Sequence, residues 1–328
     1  MFSVLGILIG LLLLIGGGAA LVTGATKVAS RMGISPMIIG LTIVGFGTST
    51  PELVVNIVGA VRGETELAFG NVIGSNISNL ALVLGAAAFI RAIEIQGNVV
   101  RREVPLLLLI TTIITVMALD GVLEQLPARI GLTDSVVLLL LFGIFLYIAV
   151  QDLVLSRNDE PLIAEIEHSP IVVTEPSSRY PWLFVLLGFV LLFAGGELTV
   201  RASVSLSEQL GISTAVIGLF VVAVGTSMPE LVTSIIAAIR GESDLALGNI
   251  IGSNIFNSLI VLPASGMAGT IAVPRGGVTD LLVSLLLTAI LIPIFFIGNA
   301  RLGRTAGLML LAIYVAYAAI RLTGAVRG

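Results

Sequence analysis

Residues 40–79 read GLTIVGFGTSTPELVVNIVGAVRGETELAFGNVIGSNISN, and residues 218–257 read GLFVVAVGTSMPELVTSIIAAIRGESDLALGNIIGSNIFN. At a constant offset of 178, 25 of the 40 positions are identical without a gap. The identities are mostly not apolar filler. They are Gly-Thr-Ser-x-Pro-Glu and Gly-Asn-x-x-Gly-Ser-Asn-Ile-x-Asn. Two copies of a polar cassette in very apolar surroundings point to one site built from two halves.

The surroundings define the class. The chain has 328 residues, of which 57% are hydrophobic and 11% charged, with a mean hydropathy of +1.13. A soluble domain is usually about 25% charged. Apolar runs long enough to cross a bilayer, roughly 17–25 residues, recur from end to end. They cover about 2–26, 34–61, 65–90, 104–120 and 132–154, then 181–205, 212–239, 244–267, 278–298 and 305–323. The runs are continuous rather than alternating, which favours helices over a barrel. The expected fold is an all-α polytopic membrane protein with ten transmembrane helices. The first run follows Met1-Phe2-Ser3 with no basic segment, so it reads as a retained span rather than a cleaved signal.

The segment from 156 to 180 is the only long polar stretch and reads as a linker. It divides the chain into a five-helix repeat at 1–155, with its motif at 40–79, and another at 181–328, with its motif at 218–257. An odd number of spans per half turns the second half upside down relative to the first, which is the inverted-repeat plan of secondary transporters. With the N-terminus outside, Lys27, Arg31, Arg91, Arg101, Arg102, Arg157, Arg179, Arg240, Arg301 and Arg304 fall on the cytoplasmic side. Arg62, Arg129, Arg201, Arg275, Arg321 and Arg327 fall outside. The bias favours that orientation, with the linker in the cytoplasm.

Pro51 has no N–H to bond the Gly47 carbonyl, and its ring crowds the preceding turn. The helix should break there and free carbonyls near Gly45 to Thr48. Thr48 and Glu52 are four apart on one helix face, and Glu52 is a carboxylate in the middle of an apolar span, an expensive placement. Thr226, Ser227, Pro229 and Glu230 repeat the arrangement after Ala223 and Gly225. In each following span Ser75 and Asn79, or Ser253 and Asn257, sit one turn apart. Gly70, Gly74, Gly248 and Gly252 would bring those helices close to the broken ones.

Folded together, the halves assemble carboxylates, hydroxyls, amides and carbonyls, all oxygen donors. Such sets suit hard cations such as Ca²⁺, Na⁺ and Mg²⁺, whereas softer metals recruit Cys or His. Packing alone accounts for Gly, Ser and Asn, but not for two acids without a basic residue in the same span. Glu197 and Arg201, four apart, should pair locally, and Asp120, Glu124, Asp134 and Asp280 should be interfacial.

Other classes are excluded by what is missing. There are no cysteines, so no disulfide or thiolate chemistry. No Gly-x-x-x-x-Gly-Lys-Ser/Thr loop exists for ATP hydrolysis. Gly-Thr-Ser offers a hydroxyl to a serine hydrolase, but the only histidine, His168, lies in the linker. A net charge of −4, spread among loops, does not argue for nucleic acid. No enzyme activity, cofactor or obligatory protein partner is expected; the partners are ions and the lipid bilayer.

The paired motifs Gly47-Thr48-Ser49-Thr50-Pro51-Glu52 and Gly225-Thr226-Ser227-Met228-Pro229-Glu230, each followed by Gly-Asn-x-x-Gly-Ser-Asn, resemble the α-repeats of the cation/calcium antiporter superfamily. The nearest branch is the prokaryotic sodium/calcium exchangers, and the likeness covers the whole ten-span plan. The resemblance implies exchange of sodium for calcium across a prokaryotic cell membrane, typically three sodium ions per calcium, without ATP. It implies Glu52 and Glu230 as central ligands, surrounded by Thr48, Ser49, Ser75 and Asn79 and by Thr226, Ser227, Ser253 and Asn257. Backbone oxygens of Gly45, Thr48, Ala223 and Thr226 would complete the shells. Spans one and six would slide across the other eight. Many members carry Asp at the place of Asn257, and here both repeats carry Asn. Coupling to H⁺ or K⁺ is the alternative within the class, and a passive cation channel the alternative outside it. Gly-Ser-Asn favours sodium, because proton-coupled relatives usually carry a glutamate in that region.

Overall fold

The structure, a computed structural model, describes residues 2–31, 47–94, 102–119, 128–155, 181–241, 243–297 and 301–327. Lipid-exposed backbone must satisfy its own polar groups, and the apolar runs accordingly fold as helices. In chain order these are α1 (Phe2–Arg31), α2 (Thr50–Val61), α3 (Thr65–Ile90), α4 (Val104–Met117) and α5 (Leu132–Leu155). The second half contributes α6 (Pro181–Leu210), α7 (Thr214–Thr226), α8 (Met228–Arg240), α9 (Ser243–Phe256, continuing to Ala268), α10 (Gly277–Ile297) and α11 (Arg304–Arg327). Where described, their ends lie within a few residues of the expected spans. The exceptions are α1 and α6, which run on to Arg31 and Leu210. The polar segment 156–180, His168, Asp120 and Glu124 lie outside the described residues.

Among the described residues five helices are long and apolar enough to cross a membrane. The pair α7 and α8, bent by 48° at the intervening Ser227, makes a sixth if it is counted as one span. Four shorter apolar helices accompany them: α2, α4, and stretches of α5 and α10. The bend falls where Pro229 removes a backbone donor, as the sequence predicts.

Two features carry no sequence signal. Helix α3 widens into a π turn at Ser78–Val83, and α9 does so at Asn257–Val261, the same place at the 178-residue offset. Short antiparallel strands also join the halves. β1 (Ile93–Glu94), after α3, pairs with β4 (Arg301–Leu302), before α11. β2 (Arg129–Ile130), before α5, pairs with β3 (Ile271–Ala272), after α9. Each half thus contributes two strands, one to each pair, from matching positions.

The core has two parts. The larger gathers apolar side chains of α3, α4, α9, α10 and α11. The smaller joins Leu14 of α1 and Leu192 and Val200 of α6 to Val55, Val58, Leu67, Ile217 and Val222. Helices α1 and α6 lie along each other, and their glycines Gly10, Gly17, Gly188 and Gly195 press against the partner's backbone. Small residues at such seams let helices approach closely in lipid.

Three acids away from the cassettes have partners. Glu197 accepts from Arg201 at 2.7 Å, the expected local bridge, and is also held by both Nε and Nη2 of Arg62 at the end of α2. Asp134 accepts from Gly131 N–H at 2.8 Å beside the start of α5. Asp280, in the first turn of α10, is buried within the protein, where Tyr317 Oη donates to it at 2.7 Å and Arg321 Nη2 at 2.9 Å. Both partners come from α11, which sequence spacing does not bring near.

Candidate functional site

The Gly-Thr-Ser-x-Pro-Glu cassettes set up the site through their backbone. Ser49 (φ −88°, ψ 9°) and Ser227 (φ −81°, ψ 9°) adopt the same non-helical conformation immediately before α2 and α8. This bridge region is sparsely populated and frequent at functional sites. The proline follows two residues later, in the first turn, where its missing N–H costs least. That first turn also holds Glu52 or Glu230, near the positive end of the helix dipole.

The two cassettes are wired to each other. Ser49 Oγ donates to Glu230 Oε1 at 3.1 Å, and Ser227 Oγ donates to Glu52 Oε1 at 3.1 Å. Each glutamate is held by the serine of the other half. Thr48 lies against Glu230 and Thr226 against Glu52, and the two carboxylates are near enough for their charges to interact. Both side chains are 0% exposed, and among the described residues neither forms an ion pair.

The partner helices close the chamber. Gly70 and Gly74 of α3 lie directly on the backbone of Ala215 and Leu219 in α7, where any Cβ would collide. Their mates Gly248 and Gly252 have no such contact among the described residues. Ser253 Oγ donates to Glu230 Oε1 at 3.2 Å, whereas its mate Ser75 makes no hydrogen bond among the described residues. Asn79 Nδ2 donates to Asn254 Oδ1 at 3.0 Å, while neither polar atom of the buried Asn257 finds a partner among them. The Ala223 carbonyl accepts from Ser227 N–H at 3.0 Å and from Thr226 Oγ1 at 3.3 Å. Gly45 lies outside the described residues.

Among the described residues several buried acceptors have no hydrogen-bond partner: Oε2 of Glu52 and of Glu230, Oγ of Ser75, Oδ1 of Asn76, Asn79 and Asn257, and the hydroxyls of Thr199 and Ser203 on α6. Orphaned buried polar atoms are rare and demand a reason. All but the two α6 hydroxyls belong to the two repeated motifs. Acceptors gathered around two unpaired acids, with no sulfur or imidazole, suit a hard cation.

The structure adds residues to those singled out above. Asn71 Nδ2 donates to Asn56 Oδ1 at 2.8 Å and Asn71 Oδ1 accepts from Thr226 Oγ1 at 3.3 Å. At the matching place Asn249 Nδ2 donates to Ser234 Oγ at 3.0 Å. Asn76 Nδ2 reaches Ser258 Oγ at 3.0 Å, and Asn254 Nδ2 reaches the Asn76 carbonyl at 3.2 Å. The signal for most of them was present: Asn71 with Asn249, and Asn76 with Asn254, are identities of the repeat.

With this geometry in place, comparison with known proteins is decisive. The family described as "Sodium/calcium exchanger protein" matches residues 2–151 and 180–323. The chain belongs to the sodium/calcium exchanger family. It is 37% identical over 314 residues to CaxA of Alkalimonas amylolytica, covering 95% of this chain and 96% of that protein. It is 29% identical over 335 residues to the sodium/calcium exchanger MaX1 of Methanosarcina acetivorans, covering 95% and 96%. The solved sodium-calcium exchanger NCX_Mj, soaked with Na⁺ and Sr²⁺, superposes with a TM-score of 0.63 at 29% identity over 97% of this chain and 98% of that one. This is a helical membrane antiporter that handles calcium and a second cation; its family is one of transporters.

Proposed function

We propose that the chain is an electrogenic Na⁺/Ca²⁺ antiporter of a prokaryotic cell membrane, working by alternating access and normally extruding calcium. The observation that carries it is the reciprocal bonding of Ser49 to Glu230 and Ser227 to Glu52. It makes one chamber from both halves, with two carboxylates and otherwise neutral oxygen donors. Two negative charges balance one Ca²⁺ or two Na⁺. Three sodium ions against one calcium would carry one net charge per cycle.

In this reading Glu52 and Glu230 are the central ligands, assisted by Thr48, Ser49, Ser75, Asn79, Thr226, Ser227, Ser253 and Asn257 and by the carbonyls of Gly45 and Ala223. Among the described residues Oε2 of each carboxylate and the Ser75, Asn79 and Asn257 oxygens accept no hydrogen bond and can meet an ion at the roughly 2.3–2.6 Å that calcium requires. Ala223 is the least ready, since its carbonyl already accepts two bonds.

The ten-span plan, as two inverted halves of 1–155 and 181–328 around a cytoplasmic linker, is part of the proposal. The long, bent and short apolar helices support it, as do the strand pairs exchanged between matching positions. Among the described residues no α1 or α6 side chain joins the larger core, which supports sliding of that pair against the remainder. Lys/Arg placement supports an outside N-terminus.

The test is ⁴⁵Ca²⁺ uptake into proteoliposomes under separate Na⁺, H⁺ and K⁺ gradients. Uptake driven by outward sodium, and accelerated by a membrane potential of the sign that draws off the net charge, is expected. Uptake driven only by a pH difference, or only with potassium present, would assign the alternative coupling. Calcium flux without a counter-ion would indicate a channel.

A further inference from the structure

Away from the carboxylate chamber, α3 and α8 end beside the start of α11. A cavity of about 550 Å³ opens there, lined by Arg91, Ala92, Arg301, Gly303 and Arg304. Two of the three arginines have a structural duty. Arg91 Nη1 donates to the Ile239 carbonyl at 2.9 Å, closing the end of α8, and Arg304 Nη2 donates to the Ile90 carbonyl at 3.3 Å, closing the end of α3. Cations are favoured at helix C-termini. One N–H from each guanidinium does this work, and each guanidinium has five.

Among the described side chains one acid pairs with them, Glu94, whose Oε1 is 3.9 Å from Arg301 Nε. That exceeds hydrogen-bond distance, and both groups are well exposed, so the pair is weak. Arg304 also opens α11, whose N-terminal N–H groups add positive potential. Ala92 and Gly303 leave the floor clear of long side chains.

The rim distinguishes the ligand. Phe89 and Ile90, immediately before Arg91, are exposed apolar side chains, and so are Leu308 and Met309, about one turn beyond Arg304. Helices α3 and α11 pack together, so these side chains continue from the basic cavity along the flank of two helices. A free anion has no use for such a strip. A lipid uses both parts, since basic pockets between membrane helices take phosphate headgroups while apolar flanks take the chains.

We propose that this cavity binds the phosphate of an anionic phospholipid, whose acyl chains lie along Phe89, Ile90, Leu308 and Met309. Because Arg91 caps α8, the helix that carries Glu230 in its first turn, the lipid would sit at the far end of a helix of the carboxylate chamber.

The test uses the purified full-length chain in detergent. Binding of phosphatidylglycerol, phosphatidylcholine and inorganic phosphate is followed by native mass spectrometry and melting temperature. Phosphatidylglycerol should be retained and should raise the melting temperature; phosphatidylcholine and millimolar phosphate should do neither. Arg301, which caps no helix, is the cleanest probe. Arg301→Gln should weaken phosphatidylglycerol binding about fivefold, Arg301→Lys should keep most of it, and Arg129→Gln on the other strand pair should leave it unchanged. Equal retention of the two lipids, or undiminished binding by Arg301→Gln, would overturn the proposal. Competition by inorganic phosphate as strong as by lipid would assign a free-anion site instead.

Discussion

Glu52 and Glu230 each sit in an environment supplied largely by the other half of the chain. That makes their neighbours as testable as the acids themselves. Glu52→Gln or Glu230→Gln keeps shape and removes one of two charges; ⁴⁵Ca²⁺ uptake should be lost while the protein still elutes as a folded species. Asn71 is the subtler case. It orients Thr226 from the opposite half while bonding Asn56. Loss of outer partners of ligands typically costs 10–100-fold in metal affinity. Asn71→Ala should therefore weaken calcium dependence of exchange by about tenfold, read as a rise in half-saturating calcium with less change in maximal rate. Retention of wild-type half-saturation would remove Asn71 from the positioning role.

At the scale of elements, the broken helix was legible because proline's missing donor is a local property. The bend of 48° between α7 and α8 occurs at the residue before Met228-Pro229. The close approach of α3 to α7 was legible as well, from Gly70 and Gly74. A leucine at Gly74 would force its side chain into the Leu219 backbone. Overpacking of this kind costs about 1–3 kcal/mol or more. Gly74→Leu should lower the melting temperature and abolish exchange together, since the contact it breaks also seats Ser75 and Asn79. The π turns and the two-residue strands were not legible. A π turn is one extra residue inside a continuous helix, and two residues are too few to display a period.

At the scale of the molecule, two ion pairs look alike on paper and differ in burial. Arg62 and Glu197 join α2 to α6 at a partly exposed place. Such pairs are worth about 0–1 kcal/mol. Asp280 and Arg321 join α10 to α11, with the carboxylate wholly buried. Removing one member of a buried pair costs about 3–5 kcal/mol. Thermal unfolding should therefore shift strongly for Asp280→Ala and little for Glu197→Gln. Equal shifts would mean that the buried pair is screened or relaxed. If α6 moves during transport, Glu197→Gln should instead change exchange rate, because its bond to Arg62 crosses the boundary between α6 and α2, whereas Arg201 travels with it on the same helix.

Periodicity, proline chemistry and exact duplication are properties of neighbours along the chain or of one stretch compared with another. They determined the helical membrane class and the break between α7 and α8, and they point to the oxygen donors and the two acids proposed as the site. The tertiary structure decided which atoms meet: that Ser49 holds Glu230 rather than Glu52, that Asn71 joins the site, that Ser75 and Asn257 stay unpaired while Ser253 and Asn79 do not, and that Asp280 finds Arg321. Those contacts join residues far apart in sequence. They depend on how two nearly identical halves pack across each other, and small differences between the halves then decide which of two equivalent side chains receives a partner.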